Sequence, residues 1–384
     1  MIKVFTAFTE EIDDVDLAVS ELLEQLDLDR RCLANSLGII HCYSDFVDSG
    51  VVKALSEKIP FDTIGSATIS VSSSSGISQM GFSVTVLTSG DVRFVCGVSA
   101  PVTDSVDAPL TELYGRIGAG LSEKPAMLMP FIPFLLNAGG DEFIEKLDAL
   151  SGGIPAFGTL SISNEPDYSR TYTFYNGESY PASMALAALI GNAAPEFLSV
   201  SVNEENILKQ KAVITGVSRN ILQTINNIPA IQYLESMGLV KNGEVMGLQT
   251  MPFIIYLKDG SILIRACIGG TKGGGVILCG AVPVNSTVVL ATMGFEDVIS
   301  STESKVTEAL AAAKGRGGIL MYSCAGRNWS LGMQPMAEHE KVKEYLKDIP
   351  YHFVYSGGEI FPSRLSGGGV VNHLQNDSLI ICIL

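Results

Sequence analysis

The chain has 384 residues, of which 47% are hydrophobic and 17% charged, and its formal net charge is -16. Such an acidic chain lacks the clustered Lys and Arg that bind phosphate, which argues against nucleic acid and anionic membranes as partners. Its longest apolar runs, residues 126–136 and 182–190, are too short to span a bilayer, and its first residues lack a signal peptide's pattern. We therefore expect a cytoplasmic protein without membrane insertion.

The first recognisable unit spans residues 37–65. An apolar run meets a polar loop at residues 43–45, and a segment with apolar residues at helical spacing follows. An Ile-Pro pair at residues 59–60 then leads into a second apolar run that stops at Gly65. We expect two parallel strands joined by a helix, because buried parallel strands are continuous apolar runs and proline suits a strand's first position.

The same pattern recurs at residues 127–159, with a loop at Asn137 and the glycines after it, and again at residues 317–359. Short glycine-containing turns between apolar runs predict antiparallel hairpins at residues 81–98, 172–181 and 252–268. The sequence therefore predicts an α/β protein built from repeated strand-loop-helix-strand units in mixed sheets with added antiparallel hairpins. Because each half contains at least one unit, we expect two pseudo-symmetric domains.

A series of residues in the second half follows a recognisable order. It comprises Pro229-Ala230, Tyr233, Gly238, Pro252, Arg265, residues 280–288, Ser323-Cys324-Ala325-Gly326-Arg327 and Gly358-Glu359. This series resembles the C-terminal domain of the FIST family, named for F-box and intracellular signal transduction proteins. The first half resembles the FIST N-terminal domain more loosely, through its units and the strand-ending Gly65 and Gly158. We expect the two domains at residues 1–195 and 220–384.

The resemblance implies an intracellular sensory protein that binds small ligands such as amino acids. Family members are often fused to signalling domains, for which this chain has no room. We therefore expect its output to pass through a separate, unidentified signalling protein. A homodimer is an option that the sequence leaves open.

The loop after the first strand of the third unit is the main candidate for ligand binding, because ligands of open α/β sheets bind at strand carboxyl ends. Ser323, Cys324 and Gly326 offer small side chains and backbone N–H groups to an anion, and Arg327 is suited to grip a carboxylate. Glu359, beside Gly358 at the neighbouring strand end, is suited to an ammonium group. The Arg327–Glu359 pair would fit an amino-acid zwitterion. The alternative is a small-residue turn in which Cys324 packs and Arg327 pairs with a surface acid.

Two further residues are candidates. Arg265 lies in an alternating apolar strand, so it either points to solvent or is paired, and the family resemblance favours a functional role. Trp329, the only tryptophan, follows the loop and would either stack on a ligand or pack against the next helix.

The sequence indicates no cofactor and no metal site. The glycine run at residues 269–275 lacks the helix that a phosphate loop requires, and the four histidines show no metal spacing. His339 lies in a charged helix and is expected to be solvated. Two other functions stay open: a Cys324-dependent enzyme, either a hydrolase or a transferase, and a protein-interaction scaffold.

Overall fold

The structure is a computed structural model that describes residues 1–119, 123–135, 139–165, 169–243, 245, 248–365 and 367–384. The chain is a mixed α/β protein, as predicted, and its described strands form four sheets. Asn137, in the predicted loop of the second unit, lies outside the described residues.

Strands β1 to β13 span Lys3–Thr9, Asn35–Cys42, Thr63–Ala67, Val71–Ser73, Gly76–Ser78, Phe82–Ser89, Val92–Val98, Met127–Ile132, Gly158–Leu160, Thr173–Tyr175, Glu178–Tyr180, Ala185–Gly191 and Glu196–Val200. Strands β14 to β26 span Ala212–Ser218, Ile221–Ile225, Ile228–Pro229, Phe253–Tyr256, Ile262–Arg265, Cys267–Gly270, Val276–Leu278, Thr287–Leu290, Ile319–Cys324, Tyr351–Ser356, Gly358–Arg364, Val370–Gln375 and Leu379–Ile383. Helices α1 to α10 span Val15–Leu26, Leu28–Arg31, Asp45–Ser49, Val51–Lys58, Asp107–Ala119, Gly140–Ser151, Ala230–Ser236, Phe295–Ala312, Ala325–Ser330 and Ala337–Leu346.

The three predicted units each form a parallel strand pair: β2 with β3, β8 with β9, and β22 with β23. The Ile-Pro sequence that precedes the second strand of a unit contributes a hydrogen bond to two of these strand pairs. The Pro155 carbonyl accepts from the Leu128 N–H, and the Pro350 carbonyl accepts from the Ile319 N–H. A residue without an N–H of its own therefore still supplies the first acceptor of the ladder.

The repeat in the fold is larger than the predicted unit. In each of three repeats, a strand comes first, then a helix, the parallel pair, a hairpin and a closing strand. The mixed sheets accordingly have corresponding orders, which are β1-β6-β2-β3-β10-β11, β7-β12-β8-β9-β24-β25 and β13-β26-β22-β23-β4-β5. The outer hairpin of each sheet comes from a different repeat, so the three repeats exchange their hairpins cyclically.

A central apolar core lies between the three mixed sheets. Each sheet contributes one face to it, with Ile39, Phe131 and Tyr322 among the buried side chains. The opposite face of each sheet packs on helices: α1 and α4, α5 and α6, or α8 and α10. The period-two alternation of β-strands allows one strand to serve both cores, as Met129 and Leu128 do on β8.

The carboxyl ends of the parallel pairs meet beside this central core. The linking hydrogen bonds are Thr68 Oγ1 to the Tyr355 carbonyl at 2.6 Å, the Ile162 N–H to the Ala67 carbonyl at 3.4 Å, and the Gly357 N–H to the Leu160 carbonyl at 2.8 Å. Each repeat thus contacts the next one at a strand end, which is where α/β proteins place their ligands.

An antiparallel sheet of strands β14 to β21 is inserted into the third repeat, between β13 and α8. It has its own apolar core, to which Phe253, Leu234 and Val288 contribute. The predicted glycine turn at residues 269–275 joins two of its strands, β19 and β20. Among the described residues, no helix is long and apolar enough to cross a membrane.

Two of the three predicted hairpins are confirmed, since β10 pairs with β11 and β17 pairs with β18. The hairpin predicted at residues 81–98 is wrong. Strand β6 pairs with β1 and β2, whereas β7 pairs with β12 in another sheet. The Ser89-Gly90 turn therefore connects two sheets, because it joins the end of the first repeat to the start of the second. The domain limits at residues 195 and 220 stay a prediction.

Candidate functional site

The loop that follows β22 has a conformation that depends on small residues. Cys324 ends the strand with its N–H donated to the Ser378 carbonyl at 2.9 Å, and α9 begins at Ala325. A Cβ atom added to Gly326 would lie 2.0 Å from Oδ1 of Asp377. The turn between β25 and β26, which carries Asp377, can therefore pack on the loop only because residue 326 is glycine.

A small cavity of about 30 Å³ lies at this loop. We call it the Cys324 cavity. It is lined by Phe134, Ser161, Ile162, Ala266, Ile268, Cys279, Cys324, Ala325, Gly326, Trp329, Gly357 and Asn376. Residues 161, 324 and 357 belong to strand ends of the repeats, whereas residues 266, 268 and 279 belong to the inserted sheet. The cavity has room for about two water molecules.

Trp329 lies at the mouth of this cavity. Its side chain is 43% exposed, and Ile268 on the inserted sheet is 41% exposed. Of the predicted site residues, the structure brings Cys324, Gly326 and Trp329 together as lining residues. Gly358 lies behind the lining, where an added Cβ would approach Leu374 Cδ1 to 2.9 Å, so it is needed for packing.

Two buried carboxyl groups lie next to the cavity. Glu359 accepts from Ser356 Oγ at 2.6 Å and from Ser378 Oγ at 2.7 Å, and burial raises its pKa to about 8. Burial also raises the pKa of Asp377, to about 7, although Arg327 opposes this rise. Burial therefore favours the protonated, neutral form of both acids near neutral pH.

Three acceptor atoms at this site have no hydrogen-bond partner among the described residues. They are Oδ1 of Asn376 and both carboxyl oxygens of Asp377. The Asn376 side chain lines the cavity, and both residues are at most 1% exposed. Buried acceptors without donors are unfavourable, so each such group in a folded protein needs an explanation.

Arg327 does not line the cavity. It points into the interior between α8 and α10, where it is fully buried and pairs with Glu338 at 2.9 Å. Its other donors reach the carbonyls of Ser201 and Val298 and the hydroxyls of Ser301 and Thr302. The guanidinium is thus occupied by protein atoms, and the acid that pairs with it is buried rather than on the surface.

Ser323 also belongs to this interior network. Its Oγ donates to Oε2 of Glu338 at 3.0 Å, and the Tyr355 hydroxyl donates to the same oxygen at 2.9 Å. The structure thus separates the predicted set into two groups on opposite sides of the β22 end. Cys324, Gly326 and Trp329 line the cavity, whereas Ser323 and Arg327 lie behind it. Glu359 is buried and is not among the lining residues.

Arg265 joins the inserted sheet to the second repeat. Its side chain is 1% exposed and pairs with Asp141 of α6 at 2.7 Å. It also donates to the carbonyls of Ala281 and Leu374. The sequence predicted that this charge would be paired if buried, and Asp141 is its partner. Arg265 lines a groove of about 500 Å³ that is separate from the Cys324 cavity.

The Cys324 thiol is in an unreactive setting. Burial raises its pKa well above the usual value, and Glu359 and Asp377 raise it further, while the backbone N–H groups of Gly326 and Asp377 oppose them. Burial also raises the pKa of Cys279 to about 12. Both thiols are therefore neutral at physiological pH.

The described histidines are engaged elsewhere. The expectation that His339 is solvated is wrong, because it is fully buried with Nε2 2.7 Å from Ser70 Oγ. His41 and His352 contact each other at 2.9 Å within the central core. Across the described ranges, no three or more His, Cys, Asp or Glu side chains are grouped to hold a metal ion.

A separate cleft of about 1000 Å³ has none of the predicted site residues in its lining. It lies beside the edge strand β13 and the outer part of β24. Ser201 and Ser378 line it, and their hydroxyls donate to the Asp377 carbonyl and to Glu359. The turn at residues 375–378 therefore separates this cleft from the Cys324 cavity, with Asp377 between them.

Sequence reasoning missed Asp377, Asn376 and Glu338. The first two form a polar turn between two apolar runs, which has the appearance of an ordinary surface connection. Glu338 lies in a segment of alternating charges typical of a solvated helix face. Asp377 lies just before β26, the last strand of the chain. That strand pairs with β22, which leads into the predicted loop, but only the fold shows this pairing.

Comparison with known proteins places the chain in a family. Residues 36–228 match the FIST N domain, and residues 229–362 match the FIST C domain. The chain therefore belongs to the FIST family, whose domains are associated with sensory signal transduction and small-ligand binding. No curated protein matches the chain.

Solved structures show only distant similarity. Cyanuric acid hydrolase from A. caulinodans is 12% identical, with 100% of this chain and 99% of that chain covered and a TM-score of 0.36. PurLQS from Thermotoga maritima is 10% identical, with 100% and 72% covered and a TM-score of 0.21. TM-scores this low establish neither a shared fold nor a shared activity.

Proposed function

We propose that this protein is a sensor that binds a small ammonium-bearing ligand, such as an amino acid, in the Cys324 cavity and signals through a separate partner protein. The observation that supports the ligand class is that Oδ1 of Asn376, a lining residue, and both carboxyl oxygens of the adjacent Asp377 have no hydrogen-bond partner among the described residues. An ammonium group carries three donors, which matches three acceptors in number.

The position of the cavity suits a sensor. Its lining comes from the second repeat, the third repeat and the inserted sheet. A ligand held there would contact all three parts, and any arrangement of them that improves those contacts would be favoured when the ligand binds. The neighbouring turn at residues 375–378 would carry such a change to the large cleft.

An enzyme that uses Cys324 receives less support. Nucleophilic cysteine acts as a thiolate, and burial together with two carboxyl neighbours favours the neutral thiol here. His339 and the His41–His352 pair are bonded to other groups. If an alkylating reagent at neutral pH labelled Cys324 faster than a free model thiol, this alternative would regain support.

The proposal is tested by thermal-shift and Trp329 fluorescence titrations with the common amino acids and simple amines. We expect at least one of them to stabilise the protein and to change the fluorescence of Trp329, because that side chain lines the cavity. The Asp377→Asn variant should lose this response. Met333→Ala is a matched control, since Met333 is 97% exposed and lies outside the cavity lining.

No response from any of these compounds, with the fold confirmed by circular dichroism, would contradict the proposal. The cytoplasmic location and the separate signalling protein stay predictions from the sequence, and the homodimer stays an option that the sequence leaves open.

A further inference from the structure

The cleft of about 1000 Å³ beside β13, which we call the β13 cleft, is a second candidate site and is separate from the Cys324 cavity. We propose that an extended segment of a partner protein, with alternating apolar residues and one acidic residue, binds in this cleft as an added strand on β13. This interaction surface does not depend on a ligand in the Cys324 cavity.

Strand β13 has one side free for pairing. It stands at the end of its sheet, and β26 is its strand partner there. The Cys324 N–H donates to the Ser378 carbonyl on the other side of β26, and hydrogen-bonded pairs alternate along antiparallel strands. That alternation directs the main-chain groups of Phe197 and Ser199 away from β26. Because residues 195–201 all line the β13 cleft, these groups face the cleft.

The corresponding edge in the first repeat is covered by side chains of the protein itself. Gln25 of α1 accepts from the Phe8 N–H of β1 at 3.0 Å and donates to the Phe8 carbonyl at 2.8 Å. Ser75 Oγ donates to the Thr6 carbonyl of the same strand at 2.8 Å. These bonds protect the β1 edge from pairing with another chain.

Strand β13 has contacts of this kind only at its two ends, as far as the described residues show. Arg316 donates to the Ala194 carbonyl before the strand, and Arg327 donates to the Ser201 carbonyl after it. Residues 197–200 between them include no lysine or proline, the residues that commonly prevent pairing at an edge. The strand is therefore held in position while its edge stays open to a further strand.

The two walls of the β13 cleft have edges that are blocked. In one wall, Gln375 Oε1 accepts from the Ile264 N–H of β18 at 2.7 Å, and Gln375 Nε2 donates to the Ile262 carbonyl at 2.8 Å. The other wall is the outer part of β24, which carries Pro362 and so lacks an N–H at that position. A segment that enters the cleft therefore pairs with β13.

The lining of the cleft indicates the side chains of the segment. Phe197 and Phe361 both line it, with ring centroids 6.4 Å apart in an edge-to-face arrangement. Successive side chains of a strand point to opposite faces, so apolar residues at alternate positions would contact these rings. Arg364 also lines the cleft, is exposed and forms no ion pair with the described residues. It can pair with one acidic residue of the segment.

The surroundings of β13 favour an extended segment over a second copy of the chain. Strand β13 has five residues, and a strand of this length spans about 17 Å. An added strand lies about 4.8 Å from its neighbour, so it needs little room between the two walls. A symmetric contact with a second copy would have to bring the same two walls to the same cleft. Addition of a strand to an open sheet edge is a recurring mode of peptide recognition.

The experiment starts from a phage library of random seven-residue peptides, which is selected on the full chain. Enriched sequences are then made as labelled synthetic peptides and titrated by fluorescence polarisation. We expect these sequences to alternate apolar with polar residues and to contain Asp or Glu. Methylation of the peptide nitrogens that face β13 should weaken binding at least tenfold, whereas methylation at the intervening positions should not.

Two substitutions at one position form a matched pair. Ser199→Pro removes the N–H that faces the cleft and should weaken peptide binding tenfold or more. Ser199→Ala keeps that N–H and should bind as the wild type does. Arg364→Gln should weaken binding of the acidic peptides at least threefold and leave their Asn or Gln analogues unchanged. The methylated peptides, measured on the wild type, decide the question if Ser199→Pro fails to fold.

Three results would overturn the inference. They are a selection that enriches no peptide, enriched peptides whose binding is unchanged by nitrogen methylation, and binding that a folded Ser199→Pro variant retains. Dimerisation of the wild type that Ser199→Pro abolishes, measured by sedimentation, would assign the edge to a second copy and would also overturn it. None of these results bears on the proposed function, because the amino-acid and amine titrations test the Cys324 cavity separately.

Discussion

Gly326 is the residue whose lack of a side chain allows Asp377 to pack on the loop after β22. Substitution by Ala would place a Cβ 2.0 Å from Asp377 Oδ1. We expect Gly326→Ala to lose about 1–3 kcal/mol of unfolding free energy through overpacking, measured by urea denaturation. Gly115 in α5 is the control, because an added Cβ there meets no atom within 4 Å. Gly115→Ala should stabilise the protein slightly, and an equal loss in both variants would contradict the explanation.

Glu338 is the only acid that pairs with the buried Arg327 guanidinium among the described residues. Its removal by Glu338→Ala leaves a buried charge without compensation, and we expect a loss of about 3–5 kcal/mol in unfolding free energy. Glu340, two residues further along α10, is exposed, so Glu340→Ala should change stability little. Chemical denaturation of the two variants checks this, and similar losses would mean that the ion pair is not the cause.

At the residue scale, the sequence indicated the right loop but not the right chemistry. The strand-end rule led to Cys324, Gly326 and Trp329 because that rule depends only on local order along the chain. The rule could not predict where the Arg327 side chain points, because the direction of a side chain after a strand depends on which helices pack behind that strand. Asp377 came from a strand connection some fifty residues further along, and only the pairing of β26 with β22 brings it to the loop.

At the scale of elements, the parallel pairs were predictable because each is encoded within about thirty residues by apolar runs and an Ile-Pro entry. The strands with which the hairpins pair were not predictable. Strands β4 and β5 pair with each other, as any short hairpin does, but β4 also pairs with β23, which lies some 280 residues away. Nothing local to residues 71–78 specifies that partner, because it is selected by the packing of whole repeats.

The Arg265–Asp141 pair fastens the inserted sheet to α6. Besides holding Arg265, Asp141 accepts from the Ala281 N–H at 2.7 Å through Oδ2. We expect Asp141→Ala to loosen the inserted sheet locally, which hydrogen exchange would detect as faster exchange at the Ala281 amide. Glu145→Ala, on the same helix, is the control and should leave that amide protected. Unchanged protection in Asp141→Ala would show that the pair does not hold the sheet.

At the scale of the whole molecule, buried titratable groups give stability an optimum in pH. The pKa values of His41, His339 and His352 are lowered by burial, the latter two to about 3. Unfolded histidines bind protons below about pH 6.5, so this contribution to stability is lost as the pH falls below that value.

The two buried acids act in the opposite direction. Their folded pKa values, about 8 for Glu359 and about 7 for Asp377, lie above the ordinary values of 4.5 and 3.8. The contribution of these two acids to the unfolding free energy is complete below their ordinary pKa values. It is lost as the pH rises through their pKa values in the folded protein. We therefore expect unfolding free energy to fall between about pH 6.5 and about pH 8. The Glu359→Gln, Asp377→Asn double variant should remove this fall, and denaturation curves across the range would show whether it does.

The cyclic exchange of hairpins has a consequence for synthesis on the ribosome. The second mixed sheet begins with β7, near residue 92, but its outer strands β24 and β25 end at residue 375. Until those residues emerge, β9 has an open edge at which other chains can pair. The edge of β9 therefore stays unpaired while almost two hundred further residues are synthesised. The nascent chain is most prone to aggregation during that interval.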